Sequence, residues 1–136
     1  MLGTLRTPRR LIAATTAAAV LAGAALALGA PPPSTAGEPP PPRLLVTSRE
    51  WRLELSRTTI DPGNAIVQLW NKGEDAHDLW IRRRQGTKIF KSPETLSGEL
   101  SEFRAQLRRN STYKLWCSLP GHEALGMKAR IRTNGG

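Results

Sequence analysis

With 136 residues, 39% of them hydrophobic, the chain is long enough for one domain with extra terminal segments. Its formal net charge is +9, but Arg6, Arg9 and Arg10 lie at the extreme N-terminus; from Ala36 onward seventeen basic side chains stand against eleven acidic ones, a surplus of six. That surplus suits an acidic partner surface or a membrane, and with no basic helix, zinc spacing or aromatic-rich sheet motif beside it, it speaks against nucleic acid.

The three arginines precede residues 11–30, twenty residues without a charge and rich in Ala and Leu, which is the pattern of an export signal. The run is apolar on every face, so an amphipathic core helix does not fit it. Residues 1–36 are therefore expected to be either a signal peptide, cleaved at Ala36 because Pro31 makes Ala30 a poor site, or an uncleaved membrane anchor, twenty residues being just enough to span a bilayer. Either way the rest of the chain is expected on the periplasmic or extracellular side, soluble or anchored, with any membrane contact made through this segment alone. Residues 31–42 hold seven prolines in twelve positions and are expected to form an extended polyproline linker. At about 3.1 Å per residue it would span about 35–40 Å.

From residue 43 to 136 the chain reads as one domain of short strands. Residues 44–47 form an apolar run, and Trp51, Leu53 and Leu55 alternate with polar neighbours as a half-buried strand requires. Asp61-Pro62-Gly63-Asn64 is a turn; 65–70 is a more continuous apolar strand, closed by the loop residues 71–75. Leu79 and Ile81 alternate again, 88–91 is a weak edge, and 92–100, with Pro93 and Gly98, is expected to be loop with one helical turn. Phe103, Ala105 and Leu107 alternate, as do Tyr113, Leu115 and Cys117, and finally Met127, Ala129 and Ile131. About seven short strands with no good helix predict an all-β fold, an antiparallel β-sandwich.

The densest chemistry lies in residues 116–127, WCSLPGHEALGM, which place the only cysteine, one of two histidines and a methionine at the spacing Cys117-x4-His122-x4-Met127. A thiolate, an imidazole and a thioether on one loop suit copper, and two His plus one Cys with a weak axial Met is the ligand set of a blue-copper electron-transfer site. The second imidazole then has to be His77, the only other histidine. Strand phase agrees: His77 shares a face with Leu79 and Ile81, and Cys117 with Tyr113 and Leu115, so both point inward at strand ends and meet if their strands are neighbours. In an exported chain an unpaired thiol with no disulfide partner favours metal ligation.

The stretches NKGEDAHD and YKLWCSLPGHEALGM resemble the two copper-binding signatures of the cupredoxins, the plastocyanin- and azurin-like small blue copper proteins. The spacing is closer to the rusticyanin, auracyanin and sulfocyanin kind. The resemblance covers residues 43–133. It implies a Greek-key β-sandwich with one mononuclear type 1 copper held by His77, Cys117, His122 and Met127, and it implies that Asn71 helps to stitch the two ligand loops together. One position departs from the pattern: the residue after the first histidine is commonly Asn, and here it is Asp78. Either Ser118 and main-chain N–H groups satisfy that carboxylate, or strand alternation turns it to solvent.

No catalytic triad, phosphate loop or second metal set accompanies the four donors, and four donors leave copper no open position for a substrate. An enzyme is not expected. The function that follows is a monomeric one-electron carrier outside the cytoplasm, exchanging electrons with a cytochrome or a membrane oxidase or reductase. Arg82 and Arg84, on one strand face down the barrel from the copper pole, are either a solvated strand end or a feature that steers an acidic partner, while Leu119, Pro120, Ala124, Leu125 and Gly126 form an apolar patch round His122. The alternative is a copper-binding protein for storage, delivery or resistance without a redox partner. The absence of further Met or His clusters argues against it.

Overall fold

The structure, a computed structural model, describes residues 37 and 39–135. The expected signal or anchor at 1–36 and the upstream part of the proline linker lie outside the described residues. Among the described residues no helix is long and apolar enough to cross a membrane.

The alternating segments become nine strands: β1 Arg43–Arg49, β2 Arg52–Leu55, β3 Thr59–Ile60, β4 Gly63–Asn71, β5 Trp80–Arg83, β6 Ile89–Lys91, β7 Leu100–Leu107, β8 Thr112–Trp116 and β9 Lys128–Thr133, with a four-residue helix α1, His122–Leu125, before β9. They form two sheets, in the orders β2-β1-β4-β7 and β3-β9-β8-β5-β6. Five of the strand pairings are antiparallel, while β1 with β4 and β3 with β9 run parallel, so the sandwich is mostly rather than wholly antiparallel.

Leu44 and Val46 of β1, Val67 and Leu69 of β4 and Leu107 of β7 face Ile81 of β5, Leu115 of β8 and Ile131 of β9 in a single buried cluster, which is what makes the two sheets a sandwich. Residues of period two on each strand supply it, because successive side chains of a strand point to opposite faces. The described end of the linker is attached to this body: the Pro42 carbonyl accepts the Ile66 N–H at 2.8 Å. The helical turn expected in 92–100 is absent. Thr95 forms an isolated bridge with His77, and the Gly98 N–H donates to the Asn71 carbonyl at 2.8 Å, so the backbone groups a helix would use are already taken.

Two features of this topology position the site. Strands β5 and β8 are neighbours, with Trp80 opposite Trp116, so the residues just outside that pair at one end of the sheet, His77 to Leu79 and Cys117 to Ser118, are brought together. The turn between β1 and β2 carries Glu50 and Trp51 to the same end.

Candidate metal centre

His77 is wholly buried, and its backbone is pinned in both directions: its N–H donates to the Thr95 carbonyl at 3.1 Å and its carbonyl accepts the Thr95 N–H at 2.8 Å. Cys117 follows directly on β8, also wholly buried, with its N–H donating to the Met127 carbonyl at 3.1 Å. His122 opens α1 and is half-buried. The helix ends at Gly126, whose φ of 126° disfavours any other residue and whose α-carbon faces the Trp51 carbonyl so closely that an added Cβ would sit 2.9 Å from that oxygen. Met127 comes next, buried, its N–H donating to the His122 carbonyl at 3.1 Å. The backbone therefore ties Met127 to both Cys117 and His122.

His77, Cys117 and His122 converge so that one potential ligand atom from each lies within 4.8 Å of the others. The two Nδ1 atoms are 3.3 Å apart, and Cys117 Sγ is 3.5 Å from His122 Nδ1. Donors about 2.0–2.1 Å (nitrogen) and about 2.3 Å (sulfur) from a shared tetrahedral ion would lie about 3.3 and about 3.5 Å apart. The observed spacings match, and the soft sulfur and imidazole donors are the kind that suits copper.

The tautomer of His77 is set from behind. Its Nε2 lies 3.2 Å from Glu50 Oε1, and the same oxygen accepts the main-chain N–H groups of Glu74 at 2.7 Å and Asp75 at 3.0 Å. The Asp75 N–H above all, with the other main-chain donors and His77 against the cost of burial, pulls the Glu50 carboxyl down to about 2, so at neutral pH it is an anion that only accepts. Nε2 must then carry the proton, and Nδ1 offers its lone pair to the site, as in the carboxylate–histidine pairs that orient metal ligands. Gly73 makes room for this arrangement, since a Cβ there would collide with the Glu50 carboxylate. The Trp51 ring packs edge-on against His122, centroids 4.8 Å apart.

Asp78 resolves the departure from the family pattern. It is 7% exposed rather than turned to solvent. Its Oδ1 accepts the Ser118 N–H at 2.6 Å, and its Oδ2 accepts the Ser118 hydroxyl and the Trp80 indole N–H, the latter at 2.8 Å. This carboxylate, not Asn71, joins the His77 segment to the cysteine loop. Asn71 works within its own half of the site: Nδ2 donates to the carbonyls of Asp75 (2.7 Å) and Thr95 (2.9 Å), and Oδ1 accepts from the Gly73 N–H and the Ser48 hydroxyl. Burial, opposed in part by the main-chain N–H groups of Asp78 and Leu119, pushes the Cys117 thiol up to about 11. A metal must therefore displace a proton to gain the thiolate.

Sequence reasoning named His77, Cys117 and His122, which the structure gathers, and Met127, which it buries and ties by backbone bonds to Cys117 and His122. It missed Glu50 and the seat of Trp51, read there as a strand residue. A lone carboxylate twenty-seven positions from its histidine has no spacing signature. The Glu74 and Asp75 side chains are exposed, and only their N–H groups serve the site.

No protein-family model matches the chain, and no curated protein matches it by sequence. Solved structures do. Auracyanin A, a "blue" copper protein from the green thermophilic photosynthetic bacterium Chloroflexus aurantiacus, is matched at a TM-score of 0.56 and 17% identity over 68% of this chain and 98% of that one. The dithionite-reduced auracyanin of Roseiflexus castenholzii is matched at 0.57 and 17% over 67% and 95%. At this identity the likeness establishes the fold, a cupredoxin-like β-sandwich.

Proposed function

We propose that the protein is an extracytoplasmic type 1 copper protein that carries single electrons between redox proteins and catalyses no reaction of its own. The observation that supports this most is the convergence of His77 Nδ1, His122 Nδ1 and Cys117 Sγ at spacings that suit one ion. In this reading His77, Cys117, His122 and Met127 would hold the copper. Copper bound there would supply a Cu(II)/Cu(I) couple.

The residues serve that couple by holding still. Thr95 fixes the His77 backbone, Glu50 its ring, and Asp78 locks the cysteine loop against the His77 segment, so the donors need little rearrangement when the charge on the metal changes. Four donors leave no position for a substrate, in keeping with a carrier. His122 is the ligand nearest solvent, and Pro120, Ala124 and Leu125 beside it are exposed, Leu125 to 58%, an apolar rim suited to brief docking.

Voltammetry of the copper-loaded protein tests the reading. A reversible one-electron wave, shifted upward in Met127→Leu because a weak donor favouring Cu(II) is gone, is the expected result. No reversible wave, with ready release of Cu(I) to a chelator, would favour storage or delivery instead.

A further inference from the structure

Alternate residues of β5, β8 and β9 point out of the sandwich, and the register aligns them in ranks across the sheet. One rank is Lys91, Trp80, Trp116 and Lys128; the next is Arg82, Lys114 and Arg130. The third places Arg132 opposite Thr112, whose carbonyl accepts the Arg84 N–H at 2.8 Å. The face thus gathers seven cations; among the described residues the one acid ion-paired with them is Glu123, 2.5 Å from Lys114, and the buried Asp78 carboxylate meets the face through the Trp80 indole N–H. Of the seventeen basic and eleven acidic side chains from Ala36 onward, removing these seven and these two leaves ten basic and nine acidic. Five of the six surplus charges sit on one sheet face.

The opposite outer face is mixed by comparison: Gln68 bonds Glu102 at 3.0 Å, and Arg52 pairs with Glu54 at 2.8 Å. Like charges directly opposite on neighbouring strands are destabilising, and Arg82, Lys114 and Arg130 lie in one such row. Among the described residues, Glu123 alone forms an ion pair with the charges on this face to offset that cost.

We infer that this face is a docking surface for an acidic protein. The cations stand on a rigid sheet at fixed spacings, about 4.8 Å between strands, which suits a folded surface of matching carboxylates. Four of the seven are arginines, whose planar forks bind carboxylates in two-pronged fashion. The aromatic rings are overlaid rather than projecting, Lys114 lying over Trp116 and Lys91 over Trp80, so the face lacks the apolar wedge of a membrane-inserting surface. It also adjoins the metal site, because Trp116 precedes Cys117 and one depression is lined by Trp116, Cys117, Leu119, Pro120 and Lys128. That the docked protein is a redox partner rests on the carrier reading; the docking itself does not.

The test is a binding titration of the full chain with an acidic c-type cytochrome across ionic strength. It compares wild type, Arg82→Glu with Arg130→Glu, and the control Arg108→Glu with Arg109→Glu, which changes net charge equally at exposed turn positions off this face. Wild type should bind at low salt and weaken steeply as salt rises. The face variant should lose at least about tenfold in affinity and the control less than about twofold. The milder pair Arg82→Gln with Arg130→Gln should fall between them, and circular dichroism checks that each variant is folded. Equal loss in face variant and control would overturn the inference, as would face-dependent binding to phosphatidylglycerol vesicles without binding to the cytochrome. Copper colour recorded on the same samples keeps the two readings apart: a colourless protein that still docks through this face contradicts the carrier and not the surface.

Discussion

His77 and His122 bring their Nδ1 atoms to within 3.3 Å of each other by opposite means. His77 has no exposed surface, is bridged on both backbone sides to Thr95, and is held at its far nitrogen by a carboxylate that two main-chain N–H groups fix. His122 stands half-exposed on a four-residue helix, its N–H reaching back only to the Leu119 carbonyl at 3.1 Å. The first imidazole belongs to the sandwich, and the second belongs to a loop laid over its end. The strand-held half sets the geometry, and the loop-held half gives the site its contact with the outside.

The sharpest way to break this contrast is to delete each ring. His77→Gly and His122→Gly should each lose most of their copper affinity, but imidazole added to the solution should restore bound copper and colour only in His122→Gly, whose vacancy opens to solvent. Titration followed by visible absorption reads this directly, and equal rescue of both would show that the burial difference has no consequence. Smaller is the effect of cutting the link between the halves. Asp78→Ala leaves the Ser118 N–H and hydroxyl and the Trp80 indole N–H without their acceptor and should cost about 1–3 kcal/mol in urea unfolding of the metal-free protein. Asp78→Asn, which keeps one carbonyl oxygen for the Ser118 N–H, should cost less.

The smallest expected effect concerns the brace behind His77. The Glu50 carboxyl is held at about 2, below its ordinary 4.5, so its ionised form favours the folded state. That contribution is complete above pH 4.5 and disappears as pH falls through about 2. Wild type should therefore be more stable than Glu50→Gln at pH 6, and the gap should close near pH 2. A gap that stays constant in denaturant midpoints would mean that the charge of Glu50 contributes nothing.

How much of this was legible in the sequence follows from how local each feature is. The strands carrying Leu69, Leu107 and Leu115 announce themselves by alternation, and the ligand loop by Cys117-x4-His122-x4-Met127, because both patterns lie within a dozen residues. The pairing of β1 with β4 is parallel for reasons of topology, on which periodicity is silent. Glu50 depends on a partner twenty-seven positions away, while for Asp78 the resemblance offered Ser118, forty positions on, as one of two alternatives between which strand phase alone does not choose. The basic face is spread over three strands, and only their register reveals that Arg82, Lys114 and Arg130 stand side by side. Even the local signals had limits: Gly121 and Gly126 bracket a helical turn at His122 that was expected instead in 92–100.

The central claim, one copper held by a cysteine thiolate and two histidines, is tested most directly by adding Cu(II) to the purified metal-free protein and recording its visible spectrum. One equivalent should produce an intense blue from thiolate-to-copper charge transfer and release a proton from Cys117, whose thiol is protonated until about 11 in the free protein, and Cys117→Ser should stay colourless. Copper bound by the wild type without colour, or colour that persists in Cys117→Ser, would contradict the account.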